Sequence, residues 1–319
     1  MNQRYRYLLP ICAALATIAF PEGTQGQQTE AQQQQQAIEF IRLTQDGQYL
    51  KALQTSIARY QSSKQDVTVD LIGAVHIGER SYFETLNEVF KDYDVVLYEL
   101  VAPEGTRIPR GGRTGGAGNP ISFMQTSAQK FLGLESQLKL VDYTPDNFRH
   151  ADMSPDELRE KMAERGQSPL SLALGAFTEM MNDPDMAAKL GDQGGASLSD
   201  LLDMIGNPLK AKRFMAKQMG AMGSLDSGLG SSLNQLIVVD RNKAAMKVLD
   251  ETIQQGHKKI GIFYGAAHMP DFHERLLERE FKFARDSWLT AWDLTQSHAV
   301  EKQDPATSLL MQLMKELNK

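Results

Sequence analysis

Two near-identical tetrapeptides constrain this chain more than anything else in it: Gly73-Ala74-Val75-His76 and Gly265-Ala266-Ala267-His268. Each follows a short apolar run, residues 67–72 in the first case and 260–264 in the second. Runs of this length, rich in β-branched and aromatic residues and closed by glycine, predict buried strands. Each histidine is thereby delivered just past a strand's C-terminal end, where open α/β sheets build their functional crevice. Two imidazoles brought there could meet over one site, an arrangement that suits a metal.

The rest of the chain supplies a setting for such a sheet. Asp46-Gly47, between apolar segments at 38–43 and 49–53, favours the tight turn of a β-hairpin. After the first histidine, apolar residues at 83, 86, 89 and 90 predict a helix over 81–90, and 95–98 reads as a strand that ends at Glu99. Residues 102–119, crowded with Gly, Pro and Arg, predict a long loop. A helix near 122–132 and a short strand over 138–141 follow. Ser154-Pro155-Asp156-Glu157 is a helix start. It opens a helical insertion over about 154–222, whose methionines read as adaptable packing. A helix over 233–254 carries Asp240-Arg241-Asn242. Beyond the second histidine come a helix begun by Pro270, antiparallel strands within 280–294 and a helix from about Pro305. The expected fold is α/β: a mixed sheet with a parallel centre and antiparallel edge hairpins, with the insertion covering the strand C-terminal ends. Residues 38–319 would form a single domain.

Residues 1–26 have Arg4 and Arg6, an apolar stretch and small residues near Gly26, the pattern of a secretory signal peptide. The apolar stretch is short for a bilayer span and contains Pro10, which points to a secreted or periplasmic protein without stable membrane insertion after cleavage. Residues 27–37 are a Gln-rich spacer. Cys12 is the only cysteine and lies inside the signal segment, so the mature chain would have no disulfide and no thiolate ligand. Any metal must then use imidazole, carboxylate or carbonyl ligands. Cleavage would take the formal charge from −6 to about −7. A mildly acidic chain with no basic block gives no reason to expect a nucleic-acid partner.

Three residues at strand ends carry the chemistry: His76, Glu99 and His268. Imidazoles with one carboxylate can hold a divalent ion and leave positions open for water and substrate. Arg241, in the helix before the second histidine strand, could steady a carboxylate or a developing oxyanion. Each has a plainer alternative. A lone histidine can be a hydrogen-bonded structural residue, Glu99 could cap a helix or pair with Arg107, and Arg241 could form a surface ion pair. His150-Ala151-Asp152 could line the mouth of the cleft, while His257, His273 and His298 read as surface or packing residues.

As a set, the two Gly-Ala-x-His elements with Ser81, Glu99-Leu100 and Arg241-Asn242 resemble the motifs of the TraB/PrgY/GumN family, over residues 38–100 and 233–294. That family is related to Tiki, a metal-dependent protease with two Gly-x-x-His motifs, and more distantly to erythromycin-esterase-like and haem-binding ChaN-like proteins. The resemblance implies a metal site of His76, Glu99 and His268 holding Mn, Co or Zn. It also implies catalytic roles for Glu99 and Arg241 and a peptide or protein substrate. The expectation is a secreted or periplasmic metallohydrolase, peptidase-like. The alternative is a non-catalytic protein that sequesters a peptide or binds haem.

Overall fold

The structure, a computed structural model, describes residues 38–103, 105–111, 131–168, 171, 207–222 and 234–296. It opens with the expected hairpin: β1 (Ile41–Asp46) turns at Gly47, whose φ of 57° is a left-handed conformation that glycine adopts without strain, into the long β2 (Tyr49–Ser62). Then come β3 (Thr68–Ala74), β4 (Ile77–Gly78), α1 (Arg80–Phe90), β5 (Val95–Tyr98), β6 (Glu135–Ser136), α2 (Gln137–Leu140), β7 (Phe148–His150) and α3 (Pro155–Glu164). The order continues with α4 (Pro208–Met222), a π-helical turn (Gln235–Val239), α5 (Asp240–Gln254) and β8 (Lys259–Gly265). A 3-10 turn (Ala266–His268), α6 (Met269–Glu278) and β9 (Phe281–Asp293) complete it.

The main sheet runs β1-β2-β3-β8-β5-β7, with β9 also paired to β2. The fold is α/β with a mixed sheet. β3, β8, β5 and β7 are parallel to one another, and β1, β2 and β9 pair antiparallel. The central strands are short and mostly apolar: every residue of β5 and all but the first of β3 and β8 are buried. α1 explains its own pattern, with Tyr82, Phe83, Leu86 and Phe90 on one buried face.

A polar group does sit among these strands. Asp70, on β3, receives Nε and Nη2 of Arg59 at 2.8 and 2.7 Å and the Tyr93 hydroxyl at 2.7 Å. The cluster lies toward the N-terminal end of the parallel strands and joins β2, β3 and the residue run that leads into β5.

Within the insertion, α3 starts on a capping box in which Ser154 and Glu157 bond each other's backbone N–H. α4 packs against β1 and β2. Its Lys212, fully buried, is paired with Glu79, and Glu79 also accepts the Asp293 N–H at 3.2 Å. This pins α4 to the end of the sheet beyond β3. Residues 172–206, most of the predicted helix at 122–132, the C-terminal segment from Pro305, and the segments 1–26 and 27–37 expected to be a signal peptide and a spacer lie outside the described residues. Among the described residues no helix is long and apolar enough to cross a membrane.

Two local expectations are corrected. Residues 138–141 do not form a strand, because 137–140 close a helical turn with the Val141 N–H bonded to the Gln137 carbonyl at 2.9 Å. Leu138, in that turn, is 42% exposed. The edge strand is instead β7, whose three residues are too few for a visible period. The helix expected over 233–254 begins with a π-helical turn before α5.

Candidate metal centre

β8 lies between β3 and β5, so His76, His268 and Glu99 leave the C-terminal ends of three adjacent parallel strands. The two tetrapeptides are not in matching register. Gly73 pairs with Tyr264 and Ala74 with Gly265, a one-residue offset. The chains then diverge. After β3 the chain continues directly to β4, leaving His76 exposed, whereas after β8 it tightens into the 3-10 turn and tucks His268 in at 4% exposure.

Their side chains converge beside Gly265. A Cβ at that position would stand 3.4 Å from Glu99 Oε2, 3.7 Å from His268 Cδ2 and 3.7 Å from His76 Nε2. The glycine thus keeps open a small cradle bordered by all three groups. Its N–H donates to Glu99 Oε2 at 2.7 Å, and Arg241 Nη2 donates to Glu99 Oε1 at 2.8 Å. His268 Nε2 lies 3.6 Å from Glu99 Oε1.

The proton on His268 can be located. Asn242 Nδ2 lies 2.9 Å from the His268 carbonyl and 2.8 Å from Asp271 Oδ2, both acceptors, so it is the amide NH₂. Asn242 Oδ1 therefore faces His268 Nδ1, at 2.6 Å, and that nitrogen must donate. Burial, opposed by the Glu99 charge, pushes the His268 pKa down to about 4, so the ring is neutral near pH 7. Its bare Nε2 then faces a carboxylate oxygen. Burial also works against ionised Glu99, but nearby positive charge, that of Arg241 once His268 is neutral, together with the Gly265 N–H, outweighs it and holds the carboxyl below its ordinary range. Two electron-rich atoms facing each other at this separation repel unless a cation lies by them.

Arg241 supplies one fixed cation. The π-helical turn leads into α5 so that Asp240, Arg241 and Asn242 are all buried at its start. Arg241 Nε and Nη2 reach Asp152 at 3.0 and 2.6 Å, and Nη2 also reaches Glu99. Burial disfavours the guanidinium's charge, but Asp152 and Glu99 more than restore it. Arg241 Nη1 has no partner among the described residues.

The four residues singled out from the sequence are thus brought together, and two plainer alternatives fall. Glu99 pairs with Arg241 and not Arg107, and Arg241 is buried, not a surface ion pair. His150 places Nε2 2.6 Å from the Leu100 carbonyl and lines a cavity of about 520 Å³ with Tyr98, Tyr143 and Phe148. Of that segment it is Asp152, with no side-chain exposure, that belongs to the site. His273 packs on Tyr60, their Nδ1 and hydroxyl 2.8 Å apart, and His298 lies outside the described residues. Sequence reasoning missed Asp152 as the partner of Arg241, and it missed Gln137, whose Oε1 is 3.2 Å from His76 Nδ1. The only signal for Asp152 was its position just after a strand too short to recognise.

The donors fit a divalent ion in kind: imidazole nitrogens backed by amide oxygens, plus an ionised carboxylate. As they stand, no three His, Cys, Asp or Glu side chains among the described residues form a group that could hold a metal ion. Compared with protein-family models, curated proteins and solved structures, the chain matches none of them.

Proposed function

We propose that this chain is an exported metal-dependent hydrolase acting on peptide bonds. The observation that carries the reading is the meeting of His76 Nε2, the bare His268 Nε2 and ionised Glu99 around the Gly265 cradle, with Arg241 alongside. The resemblance to the TraB/PrgY/GumN family, and through it to a protease, supports the peptide as substrate class. On this reading His76, His268 and Glu99 hold the ion, here Mn, Co or Zn. When bound, the ion acidifies water and polarises a carbonyl.

The protein's own groups do the rest. Glu99 is ionised and has a lone pair on each oxygen beyond the bonds it already accepts, so it can take the proton that the attacking water gives up. Arg241, locked by Asp152, points its charge at the same place and can donate Nη1–H to the oxyanion that develops on the carbonyl. Because Asp152 fixes the guanidinium beforehand, little reorganisation accompanies that step.

The test is elemental analysis of the purified mature chain, with hydrolysis of a peptide library before and after chelation. His268→Ala should lose metal and hydrolysis together. A metal-free wild type that binds peptide without cleaving it under any divalent ion would overturn the proposal in favour of sequestration. A Soret band on haem addition, with no metal-dependent cleavage, would overturn it in favour of haem binding.

A further inference from the structure

The two histidines share a feature that neither tetrapeptide encodes. Each has its Nδ1 against the side-chain amide of a buried residue from elsewhere in the chain. For His268 the amide is Asn242, on α5, fixed by its bonds to the His268 carbonyl and Asp271. For His76 it is Gln137, the first residue of α2, 5% exposed. Gln137 grips the histidine twice: its N–H donates to the His76 carbonyl at 2.9 Å, and its Oε1 faces Nδ1. The other end of this amide is held too, since Gln137 Nε2 donates to the Tyr143 hydroxyl at 2.9 Å. Tyr143 is itself wedged in an aromatic group, its ring centroid 5.2 Å from Tyr98 and 5.5 Å from Phe148. The amide therefore has little freedom to turn.

A neutral imidazole has one N–H and one bare nitrogen, and in water the proton is free to sit on either. An acceptor oxygen at Nδ1 draws the proton there and leaves Nε2 bare. We propose that Gln137 and Asn242 are matched positioning residues that hold His76 and His268 in the Nδ1–H tautomer, so that Nε2 is bare on both of the rings that border the Gly265 cradle beside Glu99. The proposal rests on the hydrolase reading only for its consequence, because the tautomers exist with or without an ion.

The experiment is long-range 1H–15N NMR of the histidine rings in the metal-free, 15N-labelled mature chain at about pH 8, above the ordinary histidine range. Signals are assigned through His76→Asn and His268→Asn. Both rings should show a protonated Nδ1 and a bare Nε2. Gln137→Leu should move His76 toward the Nε2–H form and leave His268 unchanged. Gln137→Glu, which keeps an acceptor oxygen, should restore the Nδ1–H form. Titration with Zn²⁺ alone should show affinity about 10- to 100-fold weaker in Gln137→Leu than in wild type, the usual cost of losing a histidine's orienting partner. A proton on His76 Nε2 in the wild type, the pattern of an amide turned so that Tyr143 donates and His76 accepts, would overturn the proposal. So would an unchanged His76 tautomer in Gln137→Leu. If that variant does not fold, the wild-type spectrum and Gln137→Glu decide by the same criteria. Correct tautomers in a chain that binds no divalent ion would sink the hydrolase and leave this inference standing.

Discussion

The two ends of the parallel sheet each set an arginine against a carboxylate that has little side-chain exposure, and they do so differently. Near the N-terminal end, Asp70 takes two bonds from Arg59 and one from the Tyr93 hydroxyl, and every group there has a complementary partner. At the C-terminal end, Arg241 serves two carboxylates, Asp152 and Glu99, while a neutral His268 turns its bare nitrogen toward Glu99. The first cluster is closed, and nothing about it asks for a ligand. The second has surplus negative charge and bare nitrogens. Buried charge alone therefore does not mark a site in this protein. Incomplete compensation does, and it falls at the strand ends where an α/β sheet offers a crevice.

The same edit at both ends should separate them most widely. Arg241→Lys keeps a charge but loses the planar fork that spans Asp152 and Glu99. Turnover on the proposed peptide substrate should fall by roughly two to three orders of magnitude, the size typical of losing one preorganised oxyanion donor. Arg59→Lys should leave turnover per folded molecule unchanged. Steady-state rates of the two variants, normalised to folded protein by circular dichroism, check this. Equal losses would mean that the C-terminal cluster is as structural as the other.

Asp70→Asn probes the closed cluster in return. The amide keeps one acceptor oxygen but loses the charge and turns an NH₂ toward Arg59 or Tyr93, whose bonds use both carboxylate oxygens, so stability in urea denaturation should drop by about 2 kcal/mol. Metal content and turnover of the folded fraction should hold. A variant with native stability and reduced turnover would invert the assignment of the two ends.

Protonation offers a third contrast, confined to the open end. The pKa of His268 is pushed down to about 4 by burial, against an ordinary histidine value of 6.5. Between those values the unfolded chain binds the proton more readily than the native one. His268 therefore adds stability that is complete above about pH 6.5 and is lost as pH falls toward about 4. In the metal-free protein, the stability difference between wild type and His268→Gln should shrink over that window, by up to about 3 kcal/mol. A difference that grew on acidification would show that Glu99 holds His268 as a cation, and the argument for a bare Nε2 would fail.

How legible each part of the molecule is depends on how it is encoded. β5 and β8 are apolar runs and β3 is one broken only by Asp70, and their glycine and polar terminators put His76, Glu99 and His268 at strand ends from residue order alone. Residues whose place depends on distant partners were not legible. Asp152 follows the three-residue β7 and meets Arg241 89 positions away, and Gln137 meets His76 from 61 positions away. Leu138 and Leu140 suggested a strand because apolar residues at i and i+2 match strand alternation, and a segment this short does not repeat often enough to tell that period from a helical turn. The π-helical turn that aims Arg241 has no sequence signature that separates it from α-helix.

The smallest expected effect is also the most local. Gly265→Ala places one methyl group in the cradle, at ordinary contact distance from Glu99 Oε2, His268 and His76. The backbone there, at φ −53° and ψ 140°, suits alanine, and the N–H bond to Glu99 is retained. Stability should change by no more than about 0.5 kcal/mol, as for a substitution that meets neither strain nor a clash. An ion seated among the three groups would have to share that space with the methyl. Zn²⁺ affinity should weaken by about tenfold, equivalent to about 1.4 kcal/mol. Isothermal titration with Zn²⁺ beside urea denaturation measures both quantities on one preparation. The closed cluster provides the control: Gly261 of β8 lies beside Tyr93 and Ile72, and an added Cβ there would come within 3.0 Å of Ile72 Cδ1. Gly261→Ala should therefore cost stability and leave Zn²⁺ affinity alone. If instead the two glycines exchanged these behaviours, the cradle beside Gly265 would be packing space like any other.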